Sequence, residues 1–251
     1  MHTNTRMDPA HLSLLFLAVA MVAFLYSSVG HAGASGYIAV MALWGLAPTV
    51  IRPTALLLNI LVAAIGAFQF WRAGHFSWQL FWPFAFLSVP AAYLGGYMQL
   101  PAATLKILIG LVLLFSAIRL LLRRTDPPEV FPPAPPAAIG LGAVIGFLSG
   151  LTGTGGGIFL TPLLLFFKWA RIRQAAAVSA LFILVNSISG LTGYFAANRS
   201  LPALVLFLAP AAVISGAIGS HLGSRRLPVR AISLLLATVL TIAGLKLIFT
   251  K

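Results

Sequence analysis

Apolar residues along this chain gather into eight runs, each long enough to be a single helix, with polar residues confined to the gaps. The runs are Leu12 to Gly30, Pro53 to Trp71, Trp78 to Met98, Ala102 to Leu122, Ala137 to Lys168, Gln174 to Ala197, Leu201 to Leu222 and Pro228 to Phe249. A helix needs about 20 apolar residues to cross a bilayer, and these runs show no strict polar alternation of the strand type. The pattern predicts an all-α, polytopic integral membrane protein of the cell membrane, with a first helix that is retained rather than cleaved as a signal peptide.

Two of the runs are interrupted. Tyr26 to Val40 reads YSSVGHAGASGYIAV, and Gly146 to Pro162 reads GFLSGLTGTGGGIFLTP. Each glycine loses about 1 kcal/mol of helix propensity relative to alanine, so unbroken helices are disfavoured in both windows. Irregular backbone at membrane depth persists only where it lines a wet cavity or is buried in protein. Each window is therefore expected to hold an internal loop followed by a short helix, Tyr37 to Leu46 in one and Ile158 to Phe167 in the other. The N–H groups at such a helix start carry about half a positive charge and form a cradle for anions. Glycines can alternatively serve close packing of helices in lipid, but a triple glycine goes beyond what packing requires.

The proline-dense stretch Arg123 to Pro136, RRTDPPEVFPPAPP, reads as an extended tether. It separates a first membrane repeat, Leu12 to Leu122, from a second, Ala137 to Thr250. Landmarks recur across it: Pro83 and Pro210, Gly96 and Gly223, Pro101 and Pro228, and Arg119 and Lys246 are each 127 positions apart (for the first pair, 210 − 83). Gly66 and Gly190 differ by 124, and Gly30 and Gly153 by 123. Internal duplication is typical of secondary transporters, whose site lies between the repeats near the midplane and is marked by matched, glycine-broken segments.

Composition sharpens the chemistry. Of 251 residues 60% are hydrophobic and 8% charged, and 16 Lys and Arg stand against 3 acids. Those acids, Asp8, Asp126 and Glu129, all lie outside the apolar runs, so the spans contain no carboxylate and the interior suits anions rather than cations. Cysteine is absent. Hydrolytic or metal chemistry usually needs acids, cysteines or clustered histidines, so the chain reads as a non-enzyme with no cofactor. It carries no GxxxxGKS pattern for ATP. The cations cluster at helix ends, as topology signals and lipid contacts, which makes the bilayer a partner and nucleic acid not one. A homo-oligomer is compatible with all of this.

Orientation depends on the broken windows. If each crosses the membrane, the repeats are parallel; if each turns back as a hairpin, they are inverted. The hairpin arrangement gathers Arg72, Arg123, Arg124, Arg171, Arg173, Arg225, Arg226 and Arg230 on one side against Arg6, Arg52 and Arg199, and the positive-inside tendency favours it.

The second window, GxxxGxxGxGGGxxxxP over Gly146, Gly150, Gly153, Gly155, Gly156, Gly157 and Pro162, resembles the sulfite exporter TauE/SafE family of membrane permeases, and the likeness extends over Leu14 to Phe249. The resemblance implies two repeats of about four membrane segments and transport of sulfite, thiosulfate, organosulfonates or related small anions. The first window departs from the pattern, with His31 opposite Thr154 and no triple glycine.

Polar residues inside apolar helices mark pathways. The candidate substrate site comprises Gly30, His31, Gly33, Ser35 and Gly36 in the first window and Thr152, Gly153, Thr154, Gly155, Gly156 and Gly157 in the second. Asn59, Asn186 and Ser187 are added from the long helices that follow. Asn186 either donates to an anion oxygen or bonds a neighbouring carbonyl. His31 either carries a proton or bonds the loop backbone. Arg52, just before Pro53, is expected to reach lipid head groups. Trp44, Trp71, Trp78, Trp82 and Trp169 form an interfacial belt. The function expected is a secondary carrier of a small sulfur-containing anion, with a passive anion channel as the alternative.

Overall fold

A computed structural model describes residues 9–98, 101–121, 129–197 and 200–224, together with 241, 242, 245, 248 and 249. Among the described residues the chain is helical throughout: α1 (Pro9–Ser28), α2 (Ala34–Leu43), α3 (Pro48–Arg72), α4 (Trp78–Tyr97), α5 (Ala102–Leu121), α6 (Pro135–Thr152), α7 (Gly157–Phe166), α8 (Ile172–Ala196) and α9 (Leu204–Gly223). Five of them, α1, α3, α6, α8 and α9, are long and apolar enough to cross a membrane. The protein is a multi-pass membrane protein. The eighth apolar run, Pro228 to Phe249, lies almost entirely outside the described residues, as does the tether up to position 128.

The tether ends earlier than its prolines suggest. Pro135 and Pro136 are the first two residues of α6, where a missing N–H costs nothing and a φ near −65° is already helical. At the other boundary α3 begins at Pro48, so Pro53 lies inside the helix. Proline cannot bond the carbonyl four residues back; that carbonyl, on Thr49, instead accepts from the Tyr194 hydroxyl at 3.3 Å.

Both broken segments turn back. The Trp44 indole N–H, just past the end of α2, donates to the His11 carbonyl near the start of α1 at 3.3 Å. The Phe131 N–H, just ahead of α6, donates to the Lys168 carbonyl just past α7 at 2.9 Å. Each short helix therefore returns the chain to the side where its hairpin began.

Packing partners fix the helix directions. Along α6, Gly142, Gly146 and Gly150 lie against the main chain of Phe84, Ser88 and Ala92 of α4, so closely that a Cβ would overlap each carbonyl oxygen. Both numberings advance by four, so the two helices run parallel. Along α9, Gly219 and Gly223 press in the same way on Phe24 and Ser28 of α1, again parallel. Close approach of this kind replaces the hydrophobic drive that lipid does not supply. The central pair is different: Arg52, Leu56 and Asn59 of α3 face Tyr194, Gly190 and Ser187 of α8, one numbering rising as the other falls, so α3 and α8 are antiparallel. Those directions require α2 and α7 to be hairpin returns.

Candidate functional site

Left-handed glycines make both breaks. Gly30 and Gly33 have φ of 79° and 107°, and Gly153 and Gly156 have φ of 81° each, 123 positions later (153 − 30, 156 − 33). Gly33 and Gly156 are the N-cap residues of α2 and α7, and neither helix has a side-chain cap. The first N–H groups of a helix lack intrahelical acceptors, so two uncapped, electropositive helix starts stand inside the protein. Seven residues of the second window thus divide by role. Gly153, Gly155 and Gly156 form the turn, Gly157 opens α7 and Pro162 lies inside it, whereas Gly146 and Gly150 are helical and serve the contact with α4. In the first window α2 starts at Ala34, three residues ahead of the expected Tyr37.

The second break nestles between α3 and α8. A Cβ on Gly155 would lie 2.6 Å from the Asn59 amide nitrogen and 2.9 Å from the Ser187 hydroxyl. Asn59 donates to the Thr154 carbonyl at 3.3 Å and to the Ser187 hydroxyl at 3.4 Å. The hydroxyls of Thr152 and Thr154 are 3.0 Å apart, and Thr152 also donates to the Leu148 carbonyl at 2.7 Å. The first break joins the second through His31, whose Nε2 lies 3.3 Å from the Gly157 carbonyl and whose Nδ1 lies 3.3 Å from the Val29 carbonyl. Gly30 sits directly on Ala176 of α8.

Three candidates face elsewhere. The Ser35 hydroxyl donates to Tyr26 at 2.9 Å, and Gly36 abuts the Val22 and Tyr26 side chains, so both bind α2 to α1. Asn186 accepts from the Ser88 hydroxyl and donates to the Phe182 carbonyl at 2.8 Å, tying α8 to α4.

Among the described residues, buried polar atoms without a partner lie beside both breaks. They are the hydroxyls of Ser27 and Ser149 and the amide oxygen of Asn59; Gln69 Oε1, on the distal part of α3, is a fourth. Such atoms cost about 1–3 kcal/mol each and call for an explanation in function. Ser27 lines a hollow of about 10 Å³ with Gly30, His31, Val62, Gly66 and Ala180, room for about one water. Ser149 is fully buried beside Gly156. A larger groove of about 330 Å³, lined by Ala64, Phe68, Trp71, Trp78 and Leu184, is apolar and offers an anion nothing.

Arg52 overturns its expected role. It does not reach head groups: it is 2% exposed, and its fork donates to the carbonyls of Gly150 (3.0 Å), Gly95 (2.5 Å), Gly96 (2.8 Å) and Met98 (3.4 Å). Those carbonyls belong to the C-terminal ends of α4 and α6, where the macrodipoles are negative. The Tyr194 ring lies 5.8 Å from the guanidinium, and the aliphatic stem packs on Gly153. The fixed cation therefore stands beside the second break. Its signal in the sequence is Pro48: a helix opening there, at a favourable first position, places Arg52 a full turn inside. Ser27 and Ser149 were also passed over; each lies in the turn before a left-handed glycine.

Comparison with known proteins places the sequence in a family. The family model described as Sulfite exporter TauE/SafE matches residues 15–247. A Sinorhizobium fredii protein named "Probable membrane transporter protein" is 43% identical over 240 residues, 94% of this chain and 97% of the relative. Proteins with the same descriptive name from Methanocaldococcus jannaschii and Bacillus subtilis are 27% identical over 213 residues (76% of each chain) and 25% identical over 253 residues (93% of this chain, 98% of the relative). No solved structure matches the chain.

Proposed function

This chain belongs to the sulfite exporter TauE/SafE family of membrane transporters, and we propose that it is a secondary carrier of a small sulfur-containing anion, such as sulfite, thiosulfate or an organosulfonate. The anion binds between the two breaks and is released by alternating access. The observation that carries this reading is the meeting of two uncapped helix starts with the unpartnered hydroxyls of Ser27 and Ser149, in a region without a carboxylate. Main-chain N–H groups of residues 154 to 158 and 34 to 36, with Thr152, Thr154, Asn59 and Ser187, supply the remaining donors, and Arg52 adds a fixed positive field.

Two inverted repeats underlie the mechanism. Helices α3 and α8 occupy matched places in the two sequence halves and run antiparallel, and each half opens with a hairpin whose left-handed glycines recur 123 positions apart. Exchange of the related α3 and α8 arms between two tilts, with the glycine-packed helix pairs kept together, exposes the same site first to one face and then to the other. The roughly water-sized hollow beside the first break, against α3 and α8, is what an occluded resting state offers.

The test is counterflow in proteoliposomes: internal unlabelled sulfite, thiosulfate or methanesulfonate is expected to accelerate entry of the same labelled anion, with saturation. A channel shows neither saturation nor exchange stimulation. Absence of flux for all three anions sinks the proposal.

A further inference from the structure

The two repeats differ where each long helix leaves its break. At the offsets that relate the breaks and the long helices, Ser27 matches Gly150 (150 − 27 = 123), Gly66 matches Gly190 (190 − 66 = 124) and Gln69 matches Gly193 (193 − 69 = 124). The match is spatial as well. Gly30 sits on Ala176 as Gly153 sits on Arg52, and those two supports are also 124 apart (176 − 52). In the second repeat, main chain closes the region: a Cβ on Gly190 would meet the Gly150 Cα at 3.3 Å, and Gly96 and Gly193 press on the Gly190 and Tyr93 carbonyls. Arg52 ties the ends of α4 and α6 together across the same place.

The first repeat has no such closure. Nothing lies within 4 Å of a Cβ built on Gly66. Ser27, 2% exposed, borders the hollow of about 10 Å³ together with Gly66, and its hydroxyl has no partner. Gln69, three residues further along the same face of α3, donates its amide N–H to the Ala217 carbonyl of α9 at 3.4 Å and leaves its buried oxygen unpartnered. Nearby, α3 meets α9 through a side chain: a Cβ on Gly216 would lie 2.7 Å from Val62 Cγ1. Ala176, in the place of Arg52, has no group with which to bind helix ends. Gly66 lies six residues, about 9 Å along the axis, before the exposed Arg72 that ends α3.

We infer that Ser27, Gly66 and Gln69 line the passage by which the anion reaches the face where α3 ends, and that the matching passage of the second repeat is sealed in this conformation. Leaning of α3 away from the α1–α9 pair parts side chains and one long hydrogen bond, while α8 keeps its main-chain contacts with α4. Water entering along that line satisfies the Ser27 and Gln69 oxygens. Exposed Arg72, Arg171 and Arg173, at the end of α3 and the start of the antiparallel α8, place positive charge on that face and concentrate anions there. This rests on the carrier reading above and names its route.

The chain has no cysteine, so single cysteines in the full-length protein report access. Ser27→Cys, Gln69→Cys and Ser189→Cys, the last in the α8–α4 seam where the hydroxyl donates to the Val89 carbonyl, are treated in oriented vesicles with a charged, membrane-impermeant methanethiosulfonate from one face at a time. Reaction of a thiol follows its access to water, so Ser27→Cys and Gln69→Cys are expected to react about 10-fold or more faster from the Arg72 face than from the other, and about 10-fold or more faster than Ser189→Cys from either. Failure of both to react, preference for the opposite face, or equal reaction of Ser189→Cys overturns the inference. A second variant reads transport: Gly66→Val is expected to keep the wild-type Tm and to lose most counterflow of sulfite, thiosulfate or methanesulfonate, whereas Gly140→Val, with open space at its Cβ, keeps it. Full counterflow in folded Gly66→Val refutes the passage. If the wild type carries none of the anions, the carrier reading falls by itself, and the labelling still decides whether the passage exists.

Discussion

Replacing Arg52 discriminates sharply between a clamp and a lipid-facing anchor. In the fold its guanidinium serves four carbonyls at the ends of α4 and α6. Hydrogen bonds involving a charged group contribute about 1.5–3 kcal/mol each, so the low end for four is about 6 kcal/mol. Against that stands the cost of holding a guanidinium at membrane depth, about 2.5–3.5 kcal/mol on insertion scales. Arg52→Ala is therefore expected to lose about 3 kcal/mol or more, a fall in Tm of about 6–12 °C for a chain of this size. Arg52→Lys gathers its three donors at one point and cannot span from Gly150 to Met98; it is expected to lose about 2 kcal/mol, roughly one charged bond. Thermal unfolding in detergent, with SDS titration of helix content in mixed micelles, measures both. A cation pointing at head groups gives a change within about 0.5 kcal/mol on removal, and that result for Arg52→Ala would refute the clamp.

Ser149→Ala deletes a buried hydroxyl that has no partner, so stability is expected to hold or to rise by up to about 1 kcal/mol, while the KM for the transported anion rises about 10-fold or more; an unchanged KM removes Ser149 from the site. Gly146→Leu drives a side chain into the Ser88 carbonyl and is expected to cost more than about 3 kcal/mol, seen as loss of folded protein from the membrane, whereas Gly140→Leu, with open space at its Cβ, is tolerated. In the loop between α3 and α4, burial first and the Arg173 charge second hold the His75 imidazole below its ordinary range. The unfolded chain then binds a proton more readily than the fold, so stability is complete above the ordinary imidazole value and declines as pH falls below it. Arg173→Gln is expected to shrink that acid-side decline in Tm, and an unchanged pH profile counts against the contact.

The apolar runs made the membrane class and most helices legible, because about twenty lipid-compatible residues in a row leave few other structures. The hairpin breaks were legible too, through Gly33 and Gly156, where the turn chemistry is local. What escaped was tertiary. A glycine's helix propensity is equally poor whether it turns the chain, as Gly153 does, or admits a neighbouring backbone, as Gly146 and Gly150 do, and only the presence of α4 separates the two roles. Arg52 followed the same logic: a cation near a helix end snorkels by default, and its inward course depends on carbonyl ends supplied by helices about 45 and 100 positions away in sequence. Asn186 has the chemistry of an anion ligand, yet its bonds run to Ser88 and Phe182, a choice set by where α4 docks.

The glycine contacts also determine which parts of the protein can travel as one. Tight seams join α6 and α8 to α4 and α9 to α1, so each sequence half lends helices to the other and the two are interlocked. A swing that tore these seams would expose carbonyls and voids to lipid. These seams, and not the covalent link through the proline-rich tether alone, therefore hold the two halves together. Severed at that tether, the two polypeptides would need each other to fold.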